Sequence, residues 1–175
     1  RSHYTNSCAL WSKIYRRELF DGMRFTEGTA FEDDEIVPQL FEHSKKTVFF
    51  ELFLYCYVKR ENSIITAPKQ KNIMALTNHL EARMLRFQKL DSELYDLGLR
   101  HFYHYLKMKM SEKQFLSTAV QKQAVEYLKK YFSVFWNVSG KYDRISLILV
   151  KIGLYKFVAK YEFEVVQHFI SKLKK

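Results

Sequence analysis

From Ile73 onward apolar residues return every three or four positions through the rest of the chain, and before it they do so only in short runs. The series Ile73, Leu76, Leu80, Met84, Phe87, Leu90, Leu94 and Leu97 steps at helical spacing through one long segment. Gly98 is a candidate break, after which Phe102, Tyr105 and Leu106 carry the stripe on. Phe115, Ala119, Leu128, Tyr131 and Phe135 predict a second helix over about residues 112–136, ended by Gly140. Two or three shorter basic helices fill residues 141–175. No internal repeat or low-complexity stretch interrupts this pattern.

The first 66 residues are organised differently. Ser7 is a candidate cap for a short helix with Leu10, Trp11, Ile14 and Tyr15 on one face, closed by the Asp21-Gly22 turn. Lys46 to Val58 reads as a strand, or as two short ones over residues 47–50 and 52–58. Its β-branched and aromatic residues are too apolar for one exposed face, so burial on both faces is expected. Residues 59–66, KRENSIIT, form a polar loop, and Pro68 marks the boundary before the helical pattern begins.

Between these parts lies FTEGTAFEDDE, from Phe25 to Glu35, which sets four adjacent carboxylates directly after a glycine turn. Such a run repels itself, so a fold keeps it as a solvated helix start, as a site, or as both. Ile36, Val37, Leu40 and Phe41 follow at helical spacing, and Pro38 is tolerable only near a first turn. A helix over about residues 33–43, with its start close to Asp33 or later, is predicted.

Composition narrows the class. The 175 residues are 47% hydrophobic and 17% aromatic with five Gly and two Pro, which predicts a packed, helix-rich protein and excludes a disordered tail. Of the net charge of +10, none comes from residues 1–65, which hold nine Lys/Arg against ten Asp/Glu. The two cysteines, Cys8 and Cys56, make no disulfide framework and no metal-ligand spacing, which fits reduced thiols in a cytoplasmic protein. Arg1 stands where an initiator would, so the chain is expected to be a piece of a longer polypeptide, and no run of about eighteen apolar residues within it could span a bilayer. His101 and His104 lie three apart, but no third ligand accompanies them, and a structural role is expected.

Read in order, W-x-K-x-Y-R-R-E-L, R-F-x-E-G, F-E-D-D-E, V-F-F and L-Y-x-Y-x-x-R-x-N-S-I, spread over about residues 8–66, resemble the second half of the catalytic domain of family-2 glycosyltransferases. These are GT-A enzymes that build bacterial cell-surface polysaccharides. The resemblance implies a chain that is mainly α with a small β part. Residues 1–66 would be the acceptor-side, C-terminal remnant of a GT-A α/β domain, and residues 67–175 a helical bundle. It implies sugar transfer from a nucleotide-diphospho-sugar to a saccharide or lipid-linked acceptor, with inversion. Asp33 would be the general base and Glu32 its neighbour, orienting the loop or binding acceptor. Arg60 and Ser63 would hold the diphosphate, where the alternative is a plain surface loop. Trp11 and Lys13 match W-x-K-x-Y, Trp11 either facing a sugar or simply buried. The family's Mg²⁺ or Mn²⁺ motif would precede residue 1, so no residue of this chain is assigned to a metal, and the fragment alone is expected to be inactive.

Residues 141–175 alternate Lys with aliphatic and aromatic side chains, which suits an anionic membrane interface as well as it suits a bundle with a lysine-rich solvent face. Docking at the inner face of the bacterial membrane is the expectation. The alternative from another class is a non-enzymatic basic helical module that binds a membrane surface, a partner protein or nucleic acid. No nucleic-acid-reading motif supports the last of these.

Overall fold

The computed structural model describes residues 8–48, 55–58, 60–64, 67 and 69–161. Six α-helices have defined bounds: α1 Asp33–His43, α2 Gln70–Leu90, α3 Ser92–Ser111, α4 Ala119–Lys130, α5 Phe132–Val138 and α6 Lys141–Lys151. Residues 155–161 are also helical. The chain divides between Tyr95 and Asp96 into two compact units.

In the first unit α1 packs on α2. Ile36, Val37 and Leu40 of α1 and Ile73, Leu80, Met84 and Phe87 of α2 are all buried, which is the stripe that the 3.6-residue period placed on one face. The first helix begins at Asp33, as its acidic first turn predicts, and Pro38 sits buried inside it. Its start is wound tightly: the amides of Asp34 and Glu35 donate to the carbonyls of Phe31 and Glu32, three residues back. The short helix expected around Trp11 is a single 3₁₀ turn, Leu10–Ser12, followed by extended backbone at Lys13. A helix this short has too few hydrogen bonds to outweigh its nucleation cost, and Ile14 is left 98% exposed.

The long apolar stripe is divided at Asp91 and not at Gly98, which is buried within α3. Asp91 Oδ1 accepts from the amides of Glu93 and Leu94 at 2.9 and 3.0 Å, an N-cap that ends one helix and starts the next. In the second unit the expected single helix over residues 112–136 is broken into a 3₁₀ turn at Lys113–Phe115, then α4 and α5. Ser117 lies at φ 63°, and its amide donates to Gln121 Oε1 while Gln121 Nε2 donates to the Met110 carbonyl. The buried glutamine thereby satisfies the turn that breaks the helix. Phe102 meets Tyr127, Tyr131 and Phe135 ring to ring in the core of this unit, and α6 packs on α4 and α5.

The expected β part is corrected. Among the described residues there is no strand: they are helices and loops, and no remnant of an α/β domain is present among them. Residues 46–48 and 55–58 are irregular and exposed, contrary to the burial on both faces expected of Lys46 to Val58; residues 49–54 lie outside the described residues. A strand exists through a ladder to a partner, and β-branched and aromatic residues supply only a preference for one. Here Tyr55 and Tyr57 pack on an aromatic side chain, Trp11, and not into a sheet. Residues 1–7, 59, 65–66, 68 and 162–175, which hold the Ser7 cap, Pro68 and the end of the basic tail, also lie outside the described residues.

Candidate functional site

The loop before α1 is shaped by two left-handed residues. Gly28 turns the chain at φ 74°, which costs a glycine little, and Phe31 follows at φ 64°, which costs a bulky side chain on the order of 1–3 kcal/mol. Thr26 Oγ1 donates to Glu35 Oε2 at 2.8 Å, and Thr29 Oγ1 donates to the Thr26 carbonyl at 3.1 Å. The strained loop is thus tied to the helix it feeds, immediately before Glu32 and Asp33.

The four carboxylates then part company. Asp34 accepts from Arg83 of α2 at 2.8 Å, and the Arg83 side chain is only 4% exposed against 18% for Asp34. A second pair, Arg86 Nε to both oxygens of Glu42 at 2.6 and 2.7 Å, repeats the clamp farther along the same two helices. Glu35 is taken up by Thr26. Asp33 accepts from the Asp34 amide at 3.1 Å. Its carboxyl is pushed up from the ordinary aspartate range, by burial first and then by the neighbouring charges of Asp34 and Glu32, with backbone N–H donors opposing. Of the four carboxylates, Asp34 and Glu35 therefore hold structure, and Asp33, beside Glu32, has a raised affinity for a proton.

Three further side chains share the field of Asp33. Lys13 Nζ donates to the Ala9 carbonyl at 2.8 Å and to Ser12 Oγ at 3.1 Å; burial lowers its proton affinity, while Cys8 and Asp33 oppose that. Cys8 accepts from Arg83 at 3.0 Å, and its thiol is pushed up to about 12, chiefly by burial and then by Asp34. Tyr15 is likewise pushed up to about 12 by burial, with smaller contributions from Cys8 and Asp33. Its hydroxyl is buried with no hydrogen-bond partner among the described residues, and its ring meets Phe20 edge-on at 5.4 Å.

Arg60 and Ser63 line one cleft of about 390 Å³ with Tyr55, Cys56, Tyr57 and Val58. Asn62, at φ 57°, turns the loop between them, a conformation asparagine tolerates. Trp11 stacks on Tyr57 at 5.0 Å and 16° and leans on Tyr55 at 4.4 Å and 30°. The six candidate residues thus fall in two groups, Glu32, Asp33 and Lys13 around the helix start and Arg60 and Ser63 in the cleft. Trp11 joins them, lying two residues from Lys13 and packed on the cleft's tyrosines. Arg83, Cys8, Tyr55 and Tyr57 escaped the sequence reading. The available signal for the tyrosines was the alternation Tyr55-x-Tyr57; for Arg83, far along an amphipathic helix, there was none.

Among the described residues no group of three or more His, Cys, Asp or Glu side chains could hold a metal ion. His101 and His104 are both exposed. No helix among the described residues is long and apolar enough to cross a membrane.

No family model matches the chain, and no solved structure matches it. A segment of 74 residues is 28% identical to the glycosyltransferase GlyA of Streptococcus pneumoniae serotype 4 (strain ATCC BAA-334 / TIGR4), a match that covers 42% of this chain and 11% of that protein. The chain therefore matches only about a tenth of the length of this curated relative. That similarity supports a glycosyltransferase relationship in general terms.

Proposed function

We propose that this chain is the acceptor-side, C-terminal portion of a family-2 glycosyltransferase and that Asp33 is its general base. The acceptor hydroxyl oxygen attacks the anomeric carbon of a nucleotide-diphospho-sugar. The bond from that carbon to the diphosphate breaks, the nucleoside diphosphate leaves with the electron pair, and Asp33 takes the hydroxyl proton. A single displacement of this kind inverts the anomeric centre. Arg60 and Ser63 hold the leaving diphosphate, whose negative charge grows in the transition state. Glu32 and Lys13 flank the base, and Trp11 faces the sugar. Residues 67–175 make the helical C-terminal domain. A Mg²⁺ or Mn²⁺ ion on the diphosphate belongs to this reading, but the described residues of this chain offer it no ligand set, and no step here runs through it.

The observation that carries the reading is the sorting of the acidic run. Arg83 pairs with Asp34 and Thr26 engages Glu35, while Asp33 is half-buried, and burial together with the neighbouring charges of Asp34 and Glu32 raises its affinity for a proton. A general base works best when its affinity for protons approaches that of its surroundings at the working pH. The test is transfer by the parent protein against a panel of nucleotide sugars, wild type against Asp33→Asn. A loss of about 10²–10⁴-fold in kcat, with nucleotide binding intact, is expected of a general base. Full activity of Asp33→Asn would sink the assignment.

A second feature favours peripheral membrane contact at the inner face, where lipid-linked acceptors lie. Tyr142, Ile145, Ile148, Ile152, Phe157 and Tyr161 are exposed in a stretch that also carries Lys141, Lys151, Lys156 and Lys160. Apolar rings beside lysines suit an anionic lipid surface.

A further inference from the structure

We infer that Trp11, Tyr55 and Tyr57 form one stacking platform that seats a saccharide acceptor beside the Arg60 and Ser63 cleft. This rests on the glycosyltransferase reading and extends it to two residues that neither the sequence nor the comparison assigns.

The three rings are 48%, 58% and 45% exposed, in the order Trp11, Tyr55, Tyr57. Large aromatic side chains are ordinarily among the most buried surfaces of a fold, and single exposed ones need no explanation. Two tyrosines gathered on Trp11, with ring centroids 4.4 and 5.0 Å from it, and all three rings still half open to water, form a contiguous patch, and patches of that kind mark binding sites. Each ring is apolar on its face and polar at its rim, through the two tyrosine hydroxyls and the indole N–H. A pyranose has the complementary character, with C–H groups on one face and hydroxyls around the edge.

The geometry also selects against other occupants. A planar base held between two rings needs an open gap between parallel aromatic faces, and Trp11 and Tyr57 already fill theirs by stacking at 16°. Tyr55 is tilted by 30° to Trp11, so the outer surface bends and does not present one flat plane. A puckered sugar ring follows such a surface better than a base does. Tyr55 and Tyr57 are at the same time walls of the cleft that holds Arg60 and Ser63, whose donors suit the hydroxyl or carboxylate groups of a saccharide.

The chain contains two tryptophans, so Trp136→Phe leaves Trp11 as the reporter. The 175-residue chain carrying that substitution is titrated by fluorescence with neutral glucose and N-acetylglucosamine tetrasaccharides, with an alternating uronic-acid tetrasaccharide, and with a nucleoside diphosphate. A saturable change with at least one tetrasaccharide is expected, at a Kd of about millimolar. Tyr55→Ala and Tyr57→Ala should each weaken it roughly three- to tenfold, the range for one ring contact. Tyr57→Leu keeps apolar bulk without the ring and should bind as weakly as Tyr57→Ala, which separates stacking from folding. The inference fails if no saccharide moves Trp11 emission, if only the nucleoside diphosphate does, or if folded tyrosine variants bind as the parent does. The platform is read from saccharide binding by the 175-residue chain and the base assignment from kcat of Asp33→Asn in the parent protein, so their failures are distinct results.

Discussion

Replacing Arg83 by Met tests the central arrangement most directly. Methionine keeps the length and apolar contact of the arginine stem while removing the guanidinium, so packing is nearly conserved and the charge is not. Asp34 would then sit at the α1 start with no counter-charge, in a position that is 18% exposed. Removing one partner of a fully buried pair costs about 3–5 kcal/mol, and the residual exposure of Asp34 puts this case near the lower end, at about 3 kcal/mol. For a chain of this size that lowers the melting temperature by roughly 6–12 °C. Urea unfolding of wild type, Arg83→Met, Asp34→Asn and the double variant closes a cycle in which a coupling of about 2 kcal/mol is expected. Arg86→Met is the internal comparison. Its side chain is 39% exposed, solvent screens the pair, and about 1 kcal/mol or less is expected. If Arg83→Met lies within about 0.5 kcal/mol of wild type, the claim that Arg83 holds Asp34 in a stabilising buried ion pair is refuted.

Three other outcomes follow from the same geometry. Because Asp33 is held above its unfolded value, the folded state binds the extra proton; its stabilising contribution is present below the usual aspartate range and is lost as pH rises through the folded value. Asp33→Asn should therefore melt higher than wild type at pH 7, with the difference closing in acid, while in the parent enzyme activity should fall as pH drops through the raised Asp33 value. Cys56 is exposed, whereas the Cys8 thiol is pushed up to about 12, so iodoacetamide at pH 8 should label Cys56 first by mass spectrometry and reach Cys8 after unfolding; equal labelling would contradict the part-buried Cys8–Arg83 contact. Vesicles containing anionic lipid should float the chain and neutral vesicles should not, with the difference lost when Lys151, Lys156 and Lys160 become Gln; indifference to lipid charge would remove the membrane reading.

What the sequence made legible was governed by local rules. The α1 start could be read at Asp33 because acidic residues favour a helix N-terminus and Pro38 limits how far upstream the helix can begin. The α2 stripe was legible because its period is the helix period. What escaped was set by contacts across the chain. Arg83 looks like any charge on an amphipathic helix until Asp34, 49 positions earlier, is brought against it. Residues 46–58 carry every preference of a strand, yet the described residues 46–48 and 55–58 have no partner to form a ladder with, and the tyrosines place their apolar faces on Trp11. The breaks at Asp91 and Ser117 were written as Asp-Ser and Ser-Thr before helix-forming residues, a capping signal outweighed by the continuous apolar stripe.

The two arginines of α2 also bear on how this protein can be cut and recombined. A segment ending at residue 66 would carry the acidic run, Trp11, Lys13, Arg60 and Ser63, yet would leave behind the guanidinium groups that hold Asp34 and Glu42. Grafted into another scaffold, it would bring its chemistry without its counter-ions. Any exchange of acceptor-side segments between related chains therefore has to move residues 8–90 together, or supply two cations in the positions of Arg83 and Arg86.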